Sequence, residues 1–128
     1  MTIISRHRQC VFGTVDHGQF TPSPIGQIAD DRWREIPIHF LRVRLDTWQV
    51  MPNHIHGILN LCPAMPPHNV SLGAIVGGFK SAVSRAVSAV GLGCFGWQER
   101  FLDRILFDDH AIQSMRRYIR DNPGRWRA

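Results

Sequence analysis

The chain has one tyrosine, one lysine and three cysteines in 128 residues, and each scarcity narrows the reading. Cys10, Cys62 and Cys94 are an odd number, widely spaced, with no Cys-x-x-Cys pair, which argues against a disulfide framework or a zinc ribbon. No stretch approaches the roughly 18 uninterrupted apolar residues of a membrane span. The N-terminus, Met-Thr-Ile-Ile-Ser-Arg-His-Arg, lacks the apolar core of a signal peptide, so a cytoplasmic location is expected. Lysine is so rare that every basic residue but Lys80 is an arginine, on a chain of net charge +5 and pI near 10.1. Such a balance favours a polyanionic partner, and arginine forks onto phosphate oxygens and stacks on bases better than lysine does. An ordinary basic surface is the plainer reading of the same charge.

What is present fits one globular domain spanning 1–128. The 44% hydrophobic content and 20% charge are those of a packed chain rather than a disordered one. A chain of this length buries about two-thirds of its unfolded surface without covalent help. No internal repeat or linker divides it.

Residues 2–12, with Ile3, Ile4, Val11 and Phe12, read as a first strand, and Gly13 to Pro24 as turn-rich, with a hairpin tip at Asp16-His17-Gly18. Ser23 caps a helix with Pro24 at its first position; Ile25, Ile28, Ala29, Trp33 and Ile36 recur at helical spacing until Pro37 ends the run. Residues 40–51 alternate, placing Leu41, Val43 and Leu45 on one face and Arg42, Arg44 and Asp46 on the other. Pro52-Asn53 turns this strand into the next as a hairpin. Three prolines make Cys62 to Asn69 a loop. A second helix spans about Ser71 to Val90, buries Leu72, Ile75, Val76, Phe79, Val83, Ala86, Val87 and Val90, and ends at Gly91-Leu92-Gly93. Arg100 to Phe107 reads as a last strand, and Asp108 caps a final helix closed by Pro123. The order β-α-β-β-α-β-α predicts a ferredoxin-like α+β sandwich, one antiparallel sheet with two helices on its back. The last helix is left for the open face.

Chemistry concentrates at two places. In Met51-Pro52-Asn53-His54-Ile55-His56-Gly57-Ile58-Leu59-Asn60-Leu61, strand periodicity projects His54 and His56 side by side, while Ile55, Leu59 and Leu61 face the core. Two imidazoles so placed can grip one divalent cation. A lone His-x-His is common by chance. Near the other end, Tyr118 and Asn122 lie one helical turn apart on one face, along the edge of a stripe of Ile112, Met115 and Ile119, with Arg116 and Arg120 on the other side. A half-buried tyrosine packing on the sheet is the plain reading of Tyr118 taken alone. His7, His17, His39, His68 and His110 show no ligand spacing.

Together these segments resemble the single-tyrosine HUH transposases, in particular the REP-associated tyrosine (IS200-like) branch. The likeness is carried by Trp48 to Ile58, Phe79-Lys80-Ser81-Ala82-Val83, Trp97-Gln98-Glu99-Arg100-Phe101 with Asp103-Arg104, and Tyr118-Ile119-Arg120-Asp121-Asn122-Pro123, in order over roughly residues 9–126. The resemblance implies that His54, His56 and Asn122 hold the catalytic divalent metal and that Tyr118 is the nucleophile. Two departures are a short first strand and a chain that stops just after the last helix.

The residues permit that chemistry. Two neutral nitrogens and an amide oxygen add no negative charge, so a phosphate can complete the shell of Mg2+ or Mn2+, of which manganese suits imidazole better. A phosphotyrosine would store the bond energy for rejoining. Arg116, Arg117 and Arg120, with Lys80, are the candidate DNA contacts, although arginines on a last helix also complement its dipole. Asp103 could orient a histidine; Trp48, Trp97 and Trp126 could stack bases. The expected activity is transposition by cutting and rejoining single-stranded, hairpin-bearing DNA, by a monomer or homodimer. The alternatives are a catalytically silent single-stranded DNA-binding module of the same fold, and a small zinc protein using His54, His56 and Cys62. The last is weakened by the roughly 20 Å that six strand residues place between Cys62 and His56.

Overall fold

The computed structural model describes residues 1–62, 71–93 and 95–127. The elements in chain order are β1 (Thr2–Ser5), β2 (Gly13–Asp16), β3 (Gln19–Pro22), α1 (Pro24–Arg34), α2 (Ile36–His39), β4 (Val43–Met51), β5 (His54–Leu61), α3 (Leu72–Ala89), β6 (Trp97–Leu102) and α4 (Asp109–Arg125). Four strands form one antiparallel sheet in the order β4-β5-β1-β6, the ferredoxin-like arrangement. β2 and β3 form a separate hairpin with its tip at His17-Gly18.

One sheet face carries the core. Ile3, Val50 and Ile55 meet Ala29 and Trp33 of α1 and Ile75, Val76, Phe79, Val83 and Val87 of α3, all buried. Gly57 belongs to this face because Trp33 lies against it: a Cβ there would come within 2.5 Å of the indole. The helices start where their caps dictate. Ser23 Oγ accepts from the Gly26 amide at 3.0 Å, Ser71 Oγ from Ala74 at 3.1 Å, and Asp108 Oδ1 from Ala111 at 2.7 Å.

Six expectations are corrected. The first strand ends at Ser5, not residue 12: Arg6–Arg8 form a 3-10 turn in which His7 and Arg8 adopt left-handed φ of 56° and 54°. Pro37 does not end helical structure but sits at the second position of α2, where a missing N–H is harmless. Leu41 is 90% exposed, because the strand begins only at Val43. β6 covers Trp97–Leu102 and stops where Leu102 pairs with Thr2, the first residue of β1; Ile105 and Phe107 beyond it are exposed. Pro123 lies inside α4, which continues to Arg125; so near the end, its missing amide removes one terminal hydrogen bond. Val90, expected in the α3 stripe, is exposed just past the helix end. Cys94 and positions 63–69 of the expected loop lie outside the described residues. No described helix is long and apolar enough to cross a membrane.

β4 carries a bulge that alternation alone does not reveal. Leu45 pairs with Leu59 but Trp48 with Gly57, so three steps on β4 match two on β5. The extra residue returns Trp48 and Val50 to the core face. It leaves Asp46 on the opposite face, where α4 lies.

Candidate functional site

The second sheet face is defined by register. Thr2 pairs with His56 and Ile4 with His54 on one side; Gln49 pairs with His56 and Met51 with His54 on the other. Residues directly opposite in an antiparallel pair share a face, so both histidines project from the middle of the face opposite α1 and α3. Their ring centroids are 6.5 Å apart.

α4 packs across this face, chiefly on β4. Its anchor is Arg116, which forks onto Asp46 with Nε donating to Oδ1 at 2.8 Å and Nη2 to Oδ2 at 2.6 Å. That fork, aided by the Thr47 amide, holds the Asp46 carboxyl down at about 2. Ile119, fully buried, faces the sheet one turn further on. This docking delivers the other two residues. The Tyr118 ring meets His56 edge-to-face at 5.4 Å between centroids, and the Asn122 carboxamide reaches His56 Nδ1 at 3.4 Å. Asn122 is buried, whereas Tyr118 is 45% exposed.

The electrostatics suit neutral ligands. Burial, then the charge of Arg8, pushes the His54 pKa down to about 4. Burial does the same to His56, helped by the N-terminal ammonium and by His54. The N-terminal ammonium donates to the Gly57 carbonyl at 2.8 Å. Both rings therefore keep a lone pair at neutral pH. The Nδ1 of His54 lies 2.7 Å from Asn53 Oδ1.

Two atoms each about 2.1 Å from a shared ion lie at most about 4.2 Å apart. The Asn122 carboxamide nitrogen is 3.4 Å from His56 Nδ1, and the oxygen that would bind a cation sits on the same carboxamide carbon. Among the described residues there is no cluster of three or more His, Cys, Asp or Glu that could hold a metal. Two imidazoles and a carboxamide would fit a divalent ion that a phosphate completes.

The remaining sequence candidates separate. Arg117 and Arg120 are exposed on α4, and no ion pair engages them among the described residues. Arg116 is not free, being committed to Asp46. Lys80 is not at the site either: it lies on α3, across the sheet, and donates to the Gln98 carbonyl. Of the tryptophans, Trp97 packs among Phe12, Phe79 and Phe95, and Trp48 donates to Asp30 beneath the Arg34 guanidinium. Trp126 alone stands by the site, its ring 6.4 Å from His54. Two contributors were missed from sequence, Arg8 and Asn53. The Ser5-Arg6-His7-Arg8 run was a signal for the first, since a strand that must bury its faces rarely carries three such polar side chains, two of them arginines, in a row.

No family model matches the chain. A protein of Haemophilus influenzae described only as uncharacterized is 27% identical over 143 aligned positions, covering 98% of this chain and 79% of that one. A crystal structure from Deinococcus radiodurans, described as a "putative transposase", matches with a TM-score of 0.60 at 17% identity, over 94% of this chain and 85% of its own. This likeness shows a shared α+β fold.

Proposed function

We propose that this chain is a metal-dependent tyrosine transposase that cuts and rejoins single-stranded, hairpin-bearing DNA through a 5′-phosphotyrosine at Tyr118. One observation carries the reading: α4 brings Tyr118 and Asn122 onto the same histidine, His56, whose strand partner in chemistry, His54, projects beside it. The Deinococcus neighbour supports a transposase-like role for the fold.

His54, His56 and Asn122 would hold the divalent ion, Mg2+ or Mn2+, which when bound would supply Lewis-acid neutralisation of charge on the scissile phosphate. The chain's residues do the rest. The Tyr118 oxygen attacks phosphorus, forming the O–P bond as the bond from phosphorus to the 3′ oxygen breaks; the phenol gives up its proton and the leaving oxygen gains one. Arg125, 5.5 Å above the Tyr118 ring, places positive charge beside the phenolate that develops. Arg117 and Arg120 grip backbone phosphates flanking the reacting one, with Arg8, whose charge reaches His54, contributing from the turn after β1. Trp126 offers a flat surface to an unpaired base. Rejoining reverses the step, with a 3′ hydroxyl attacking the phosphotyrosine.

The test is cleavage of a labelled hairpin-bearing single strand with manganese, magnesium or chelator. Cleavage restored by either metal supports the reading. Full activity in chelator removes the metal, and strand binding without cleavage under any condition favours the silent binding module.

A further inference from the structure

Asn53 is the second residue of the two-residue turn between β4 and β5, and that turn is pinned from both sides. The Asn53 carbonyl accepts from the Ser5 amide at 3.0 Å and from Ser5 Oγ at 3.1 Å, and the Pro52 carbonyl accepts from the Phe12 amide at 3.0 Å. From this fixed backbone the Asn53 carboxamide oxygen meets His54 Nδ1 at 2.7 Å. A carboxamide oxygen only accepts, so the contact requires hydrogen on Nδ1. A neutral ring then has its lone pair on Nε2 alone. Free imidazole side chains favour the opposite tautomer, with hydrogen on Nε2, so the default arrangement would turn a donor rather than a lone pair toward a cation. At His56 the nearest such contact is longer, Nδ1 lying 3.4 Å from the Asn122 carboxamide nitrogen.

We infer that Asn53 is a positioning residue, which fixes His54 as its Nδ1–H tautomer and so presents Nε2 to the divalent cation. The inference rests on the histidine pair being the cation site. It assigns a purpose to a turn residue whose side chain the hairpin itself does not need. Position 53 is not among the left-handed residues of the described chain, so other side chains fit there without backbone strain.

The experiment uses the full chain labelled with 15N and stripped of metal. At pH 7.5 a two-bond proton–nitrogen correlation spectrum should show His54 Nδ1 as the protonated nitrogen and Nε2 as the bare one. Asn53→Leu removes the acceptor at similar size and should shift His54 toward the other tautomer. It should also weaken manganese binding, followed by calorimetry, about 10- to 100-fold, the usual loss when an outer partner of a ligating histidine is removed. Asn53→Asp keeps an acceptor in place and should restore both the tautomer and the affinity. A merely structural Asn53 would change the melting temperature of the leucine variant and leave the tautomer alone, which overturns the assignment. Manganese binding by a wild-type protein whose His54 carries hydrogen on Nε2 overturns Asn53 while sparing the cation site. The expected tautomer with no manganese binding removes the cation site itself, and the role of Asn53 with it.

Discussion

Ile55 and His56 are neighbours on one strand, both buried, and they do opposite things with burial. Ile55 points into the core under α1 and α3, where removal from water is the whole of its contribution. His56 points the other way, and there burial keeps an imidazole uncharged beside a tyrosine and an asparagine. The covering layers differ accordingly. On one side two helices supply Trp33, Phe79 and Val83; on the other a single helix docks through an ion pair and one buried isoleucine. Hydrophobic area holds the first face together, and a few directed polar contacts align the second.

Alanine at each of the two neighbours should separate the faces most sharply. Ile55→Ala should cost about 2–5 kcal/mol in urea unfolding, while the molecules that remain folded still cleave. His56→Ala should lose about 100-fold or more in strand cleavage, with stability changed by about 1 kcal/mol. Equal stability losses from the two substitutions would mean that the second face is core as well.

Acid should act on the second face through the histidines. Both have folded-state pKa values near 4, below the ordinary 6.5, so between these values the unfolded chain binds more protons. Their contribution to stability is complete above pH 6.5 and is lost as pH falls toward 4. In chelator, the urea midpoint should drop across that window, and a variant with alanine at both His54 and His56 should show a flatter profile.

Much of this division was legible in the residues. The His-x-His strand, the Pro52-Asn53 turn, the caps at Ser23, Ser71 and Asp108, and the Tyr118–Asn122 spacing are local features, set by side-chain chemistry within a few residues. What sequence concealed depends on partners far along the chain. The bulge at Asp46–Thr47 is visible only once Leu45 and Trp48 are both required on the core face, three residues apart. Arg116 looked like a DNA contact because its partner, Asp46, lies 70 residues away. Arg8 comes to the site only because the first strand is cut short at Ser5, and the ends of β6 and α4 likewise followed tertiary pairing rather than local propensity.

The Asp46–Arg116 fork gives a smaller effect in a lower pH range. With its carboxyl held at about 2 against an ordinary 3.8, Asp46 stabilises the fold above pH 3.8 and loses that contribution as pH falls toward 2. Asp46→Asn should flatten this acid limb, and should also reduce cleavage by loosening the helix that carries Tyr118. An unchanged cleavage rate would show that Ile119 alone docks α4.

The smallest effect concerns salt. Each phosphate contact should contribute about 0.7 to the slope of log affinity against log salt for a single strand. Alanine at Arg117 and Arg120 together should therefore lower the slope, whereas Arg116→Ala, already neutralised by Asp46, should change it little. The reverse pattern would place the strand on the Asp46 side of α4.

The central claim is that Tyr118 becomes joined to DNA. The chain has no second tyrosine, so Tyr118→Phe removes the only phenol and changes one oxygen. Incubated with manganese and a hairpin-bearing single strand, the wild type should form a protein–DNA adduct that survives boiling in detergent. Tandem mass spectrometry should find a nucleotide 5′ phosphate on Tyr118. Tyr118→Phe should fold and bind the strand but form no adduct. An adduct that persists in Tyr118→Phe, or a wild type that cleaves without ever forming one, would contradict the account.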